Sequence, residues 1–136
     1  MVLDTNVVVS ALLWCGMPYR LLQRAVEGDV ELFPSPVLAA EFGEVLARPH
    51  LATKLLEQGT TANAVVALYL EFARVVSPLF VTCVVPDDPD DDHLIACALA
   101  AQANAIVSGD KHLLNLHVYQ GMHIVTAAQA LTMMDS

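Results

Sequence analysis

Residues 87–92 read Asp87-Asp88-Pro89-Asp90-Asp91-Asp92 and run directly into His93-Leu94-Ile95-Ala96, so five of the chain's nine aspartates fall within six consecutive positions. Like charges this close repel and raise one another's pKa, so such a run must face water or meet a cation. Part of it is capping chemistry. Asp88 followed by Pro89 suits an N-cap and first helical position, and neighbouring acids suit the positive end of a helix. Capping uses one or two acids, which leaves the others free for a metal. A calcium loop of the EF-hand type is excluded, because the glycine it needs at its sixth position is His93 and the glutamate at its twelfth is Leu99. A magnesium site asks for less: a few carboxylates from distant parts of the chain, and several waters.

Three further acids have the right placement. Asp4 follows the apolar Met1-Val2-Leu3, and Asp110 follows Ala105-Ile106-Val107 after Ser108-Gly109. If both runs are strands of an open parallel sheet, these acids stand at carboxyl ends, where the ligand crevice of such sheets lies. Glu41 is distinguished by helical phase. At about 100° per residue, Val37, Leu38, Phe42, Val45 and Leu46 form one apolar arc, and Glu41 falls inside it. A carboxylate on an inward face is costly unless it is paired or coordinates something, which marks Glu41 as functional. In the acid run, phase does not choose between Asp91 and Asp92, since both lie near the arc of Ile95, Ala98 and Leu99.

The elements that must position these acids alternate between short apolar strands and helices. Residues 1–3, with Val7-Val8-Val9 beyond, read as a buried strand running into a turn at Asp4-Thr5-Asn6. Helices are predicted over 18–27, from Ser35-Pro36 to a stop before Pro49, over 61–76, 90–104, 111–114 and 126–134, and strands over 30–33, 80–85, 105–108 and 123–125. That alternation predicts one α/β domain over 1–136 around a parallel sheet.

Composition limits the function classes. The chain of 136 residues is 56% hydrophobic and carries a net charge of −9 with six Lys and Arg, and its mean hydropathy is +0.55. No uncharged apolar run reaches the roughly 18 residues of a membrane span, and Asp4 stands where a secretory leader would carry Lys or Arg. Cys15, Cys83 and Cys97 are odd in number and form no C-x-x-C. They suit small buried side chains in a reducing cytoplasm, not a disulfide frame. The acidic balance runs against a nucleic-acid binder, which ordinarily shows a basic footprint.

Asp4-Thr5-Asn6-Val7, Glu41 in Ser35-Pro36-Val37-Leu38-Ala39-Ala40-Glu41, Asp92 in Asp92-His93-Leu94-Ile95-Ala96, and Ser108-Gly109-Asp110-Lys111 occur in the order and spacing of the PIN-domain nucleases. The chain resembles that family over almost its whole length, most closely the members regarded as toxins of toxin–antitoxin pairs. The resemblance implies a PIN-like α/β domain with a central parallel sheet of about five strands in the order 3-2-1-4-5, flanked by helices. It implies Asp4, Glu41, Asp92 and Asp110 as the catalytic, metal-binding acids, with Thr5, Asn6 and Ser108 orienting them. Asp92 is taken over Asp91 because it stands where the family's acid precedes the Leu-Ile-Ala run, leaving Asp90 and Asp91 as solvated spares. Where many relatives carry a further acid, this chain has His112.

Such a site would use Mg²⁺ or Mn²⁺ to activate water and to stabilise charge on a scissile phosphate. The implied activity is a metal-dependent ribonuclease acting on single-stranded or looped RNA, cytoplasmic, with a small antitoxin protein and a second copy of itself as partners and no membrane. Arg20, Arg24 and Lys111 are the candidate RNA or partner contacts, although Arg20 and Arg24 also suit a solvated helix face. Five histidines without an H-x-x-x-H do not make a zinc site. Trp14 and Phe33 suit the core better than base stacking. The rival readings are a non-catalytic interaction module and an aspartate-dependent phosphatase. The second would need an acid at position 6, which is Asn6.

Overall fold

A computed structural model describes residues 1–13, 17–78 and 89–135. Strand β1 (Val2–Leu3) pairs in parallel with β2 (Ala105–Val107), setting Val2 against Ile106 and Leu3 against Val107. β2 pairs in parallel with β4 (Met122–Val125), which is joined in antiparallel fashion by β3 (Val118–Tyr119). The sheet expected to be parallel, with about five strands, is thus among the described residues a mixed sheet of four in the order β1-β2-β4-β3. The antiparallel member comes from a tight turn at Gln120-Gly121, where φ is 48° and 83°. Two residues with positive φ are what a two-residue hairpin requires.

The expected strand over 30–33 is extended and hydrogen-bonded, yet forms no strand of the sheet. The Met1 amine donates to the Glu31 carbonyl at 2.7 Å, and Phe33 N donates to the Met1 carbonyl at 3.0 Å. On its other side, Arg74 N donates to the Leu32 carbonyl at 2.8 Å and Val76 N to that of Pro34 at 2.9 Å. A parallel ladder would need residues 34 and 36 to donate back, and both are proline, which has no N–H. The strand expected over 80–85 lies outside the described residues, as does Trp14.

Among the described residues the helices are α1 (Thr5–Leu13), α2 (Met17–Val26), α3 (Pro36–Leu46), α4 (Pro49–Glu57), α5 (Ala62–Glu71), α6 (Pro89–Ala101), α7 (Lys111–Leu114) and α8 (Ala127–Met134). Val7-Val8-Val9 is helical. Its β-branched side chains cost a few tenths of a kcal/mol each in a helix, but all three are buried and the Asp4 carbonyl accepts from both Val7 N and Val8 N. Ser35 caps α3, its hydroxyl accepting from Leu38 N at 3.2 Å, with Pro36 at the first helical position. Pro49, expected only as a stop, opens α4. Helix α5 ends short of residue 76 because Arg74 and Val76 have turned to bond the 32–34 segment.

Side chains alternate across the sheet. Val2, Ile106 and Ile124 pack with Leu94, Ile95, Cys97 and Ala98 of α6 on one face. Leu3, Ala105 and Val107 pack on the other with residues of α1, α2, α3, α5 and α8. Cys97 donates from Sγ to the Phe33 carbonyl at 3.0 Å, and burial pushes its thiol up to about 11. Among the described residues no helix is long and apolar enough to cross a membrane.

Candidate active site

Because β1, β2 and β4 are parallel, their carboxyl ends share one edge of the sheet, and the backbone there continues the ladder. Asp4 N donates to the Val107 carbonyl at 2.9 Å, and Ser108 N to that of Val125 at 3.0 Å. These bonds fix where two of the expected acids begin. The Ser108 hydroxyl donates to Asp4 Oδ2 at 2.8 Å and accepts from Asp110 N at 3.0 Å, so one buried hydroxyl touches both residues. Backbone N–H groups of Thr5 and Asn6 also donate to the Asp4 carboxylate, which makes Asp4 the cap of α1 as well. Asp110 caps α7, with Oδ1 accepting from His112 N at 2.8 Å.

Asp4 is consequently a strained acid. Burial raises its pKa above the ordinary value of 3.8, the Ser108 hydroxyl and the two backbone donors oppose that rise, and the Asp110 charge adds to it. The ordering matters: desolvation outweighs the hydrogen bonds, so charge at Asp4 lacks sufficient compensation from the chain itself.

A family model described as PIN domain matches residues 1–112. The chain belongs to the PIN-domain family. No curated protein matches it. Membership makes this a nuclease-like fold.

In this PIN domain Asp91 and Asp92 lie in the first turns of α6 and are 5% and 6% exposed. The expectation that Asp91 is a solvated spare is therefore corrected: it is as buried as Asp92, because both fall on the side of α6 that packs against the protein. Residues 102–104 alone separate α6 from the start of β2, and α6 packs on β1, β2 and α3. Its amino-terminal turn is thereby presented to the edge where Asp4 and Asp110 stand. Glu41 is half-buried on α3, which packs on both α1 and α6. The inward arc of α3 is narrower than helical phase implied: Leu38, Phe42, Val45 and Leu46 are buried, but Val37 is 48% exposed.

The structure thus brings Asp4, Ser108 and Asp110 into direct association and sets Asp92, Asp91 and Glu41 on the elements around them. Among the described residues no three His, Cys, Asp or Glu side chains converge as a ready-made metal cage. Asp87 and Asp88 lie outside the described residues, and so does the side chain of Asp90. Thr5 is buried while Asn6 is exposed, and both serve Asp4 through their backbone N–H. Lys111 and His112 are exposed directly beside Asp110. Arg24 is engaged elsewhere, holding Asp29 Oδ2 with Nε at 2.9 Å and Asp135 Oδ1 with Nη1 at 2.7 Å. Arg20 is exposed and lines the same groove between α2 and α8.

Proposed function

We propose that this PIN domain is a Mg²⁺- or Mn²⁺-dependent endoribonuclease, acting as the toxin of a toxin–antitoxin pair. The observation that carries the reading is the Asp4–Ser108–Asp110 association at the carboxyl edge of the sheet. Two carboxylates near enough to raise the pKa of one, with desolvation as the larger cause, form a donor set that a hard dication relieves. Asp4 and Asp110 would hold it, with Asp92 and Glu41 completing the oxygen donors. When bound, the ion supplies charge stabilisation at a phosphodiester and lowers the pKa of water.

The chain's own residues perform the positioning. Ser108 fixes the direction of Asp4 Oδ2 and, through Asp110 N, the start of α7. Lys111, exposed beside Asp110, offers one positive charge to a phosphate of the substrate. No Ser, Cys or His nucleophile is needed, since the acids orient water.

The test is cleavage of a labelled single-stranded RNA by the purified chain, with Mg²⁺ or Mn²⁺ and with chelator, beside Asp4→Asn and Asp110→Asn. Chelator-sensitive cleavage that both substitutions abolish supports the nuclease. Metal binding without cleavage of any RNA supports the non-catalytic module. Growth arrest on expression of the wild type but not of Asp4→Asn tests the toxin role separately.

A further inference from the structure

Helix α6 carries Asp91 and Asp92, yet the side chains beyond them do little to fix its rotation. They read Ala96-Cys97-Ala98-Leu99-Ala100-Ala101, and the first three are buried. Apolar contact is non-directional, and small side chains interlock weakly with their neighbours. Cys97 is the exception. Its thiol donates to the Phe33 carbonyl at 3.0 Å, and its sulfur accepts from the Ser35 hydroxyl. Hydrogen bonds have direction, so this pair sets both the rotation and the height of α6. Burial holds the thiol at a pKa of about 11, so it keeps the proton it donates at neutral pH.

Ser35 is itself fixed. It is 2% exposed, and its extended backbone lies between Pro34 and Pro36, whose rings hold φ at about −65°. Its Oγ accepts from Leu38 N at 3.2 Å as the cap of α3. Phe33 N donates to the Met1 carbonyl at 3.0 Å, three residues ahead of Asp4. Residues 33–35 therefore join three acid-bearing elements: β1 leading to Asp4, α3 with Glu41, and α6 with Asp92. Along their helices Glu41 stands about 9 Å beyond Ser35, and Asp92 about 7.5 Å before Cys97. Over so short a span a helix passes a shift at one end to the other. We propose that Ser35 and Cys97 are positioning residues for the metal site, setting Glu41 against Asp92 as Ser108 sets Asp4 against Asp110. This rests on the metal reading above and adds to it two uncharged side chains that act through the acids.

Calorimetric titration of Mn²⁺ into the metal-free full chain reads this without RNA. Cys97→Ala should bind Mn²⁺ roughly 10-fold more weakly, the low end of what supporting residues contribute, with a native circular dichroism spectrum. Cys97→Ser keeps a donor and an acceptor and should recover most of the affinity. Ser35→Ala should also weaken binding, and the double variant should lose less than the two singles together, because the side chains share one contact. Leu55→Val, a core change on α4, should lower the melting temperature and leave the affinity unchanged. Wild-type affinity in Cys97→Ala or Ser35→Ala, beside a loss in Asp92→Asn, overturns the positioning role and leaves the metal site standing. So does a Cys97→Ser as weak as Cys97→Ala, or an equal loss in Leu55→Val, since any loosening of the core would then act alike. A wild type that binds no Mn²⁺ overturns the metal reading and this proposal with it.

Discussion

Ser108 and Asp4, 104 positions apart in sequence, are joined by a hydroxyl-to-carboxylate hydrogen bond of 2.8 Å. Ser108 is 1% exposed and Asp4 is half-buried, so losing the hydroxyl removes a donor from a partly desolvated carboxylate. Ser108→Ala should therefore cost about 1–3 kcal/mol of stability, read as a lowered denaturant midpoint. Ser108→Thr, which keeps the hydroxyl, should recover most of it. The alanine variant should also bind Mn²⁺ more weakly, because Asp4 Oδ2 loses its orientation.

The raised pKa of Asp4 sets a sign for pH dependence. A carboxyl group whose folded pKa lies above its unfolded value contributes stability below the unfolded value, and loses it as pH rises through the folded value. Metal-free wild type should therefore lose stability relative to Asp4→Asn as pH climbs above the ordinary aspartate value of 3.8. Asp4→Asn should melt higher than wild type at neutral pH without metal, and should fail to cleave RNA. Paired thermal melts across pH check the first claim. Full metal-dependent cleavage by Asp4→Asn would remove Asp4 from the site.

Among the acids of α6, Asp92→Asn should weaken Mn²⁺ binding at least ~10-fold, about 1.4 kcal/mol, and Asp90→Asn should leave it unchanged. Asp91 is the informative comparison, being as buried as Asp92. Calorimetric titration of the three variants decides: loss of binding in Asp91→Asn with binding intact in Asp92→Asn moves the assignment by one residue.

Arg24 ties the end of α8 to α2 through Asp135, besides holding Asp29. Arg24→Ala should speed amide hydrogen exchange in the last turn of α8 and lower the melting temperature slightly, most clearly at low salt. It should leave RNA affinity unchanged. A large loss of affinity would show that the arginine leaves its carboxylates for substrate.

RNA binding by the isolated chain should be weak, since six Lys and Arg in the whole sequence allow few phosphate contacts. The log–log dependence of affinity on salt should have a slope of magnitude roughly 2 to 3. A steep slope with tight binding would mean that basic side chains gather along the RNA path.

Helices with strong punctuation are legible in the sequence. Lys111–Leu114 was bounded correctly, and α8 within a residue, because Asp110 and Thr126 are caps written into the sequence. The Val7-Val8-Val9 run was assigned to the strand region because β-branched residues favour it, and burial against the sheet reversed that preference. β3 was invisible: two residues give no periodicity, and Gln120-Gly121 is a weaker turn signal than Asn-Gly. Asp4 and Asp110 are legible as strand-end acids, and it is the family pattern singling out Asp92, not helical phase, that casts Asp91 as solvated. Helical phase sets Asp91 and Asp92 equally near the apolar arc, and the packing of α6 buries them to the same depth.

The pairing of β1 with β2 also fixes when the acids can meet. Among the described residues Val2 has no strand partner until Ile106 exists, so Asp4 waits for about a hundred further residues before Ser108 and Asp110 are made. At about 5–20 residues per second, that interval is of the order of several seconds. A chain still on the ribosome carries Asp4 on a segment that has neither β2 to pair with nor Ser108 and Asp110 beside it. The Asp4–Ser108–Asp110 association can therefore form only after β2 has emerged and paired with β1.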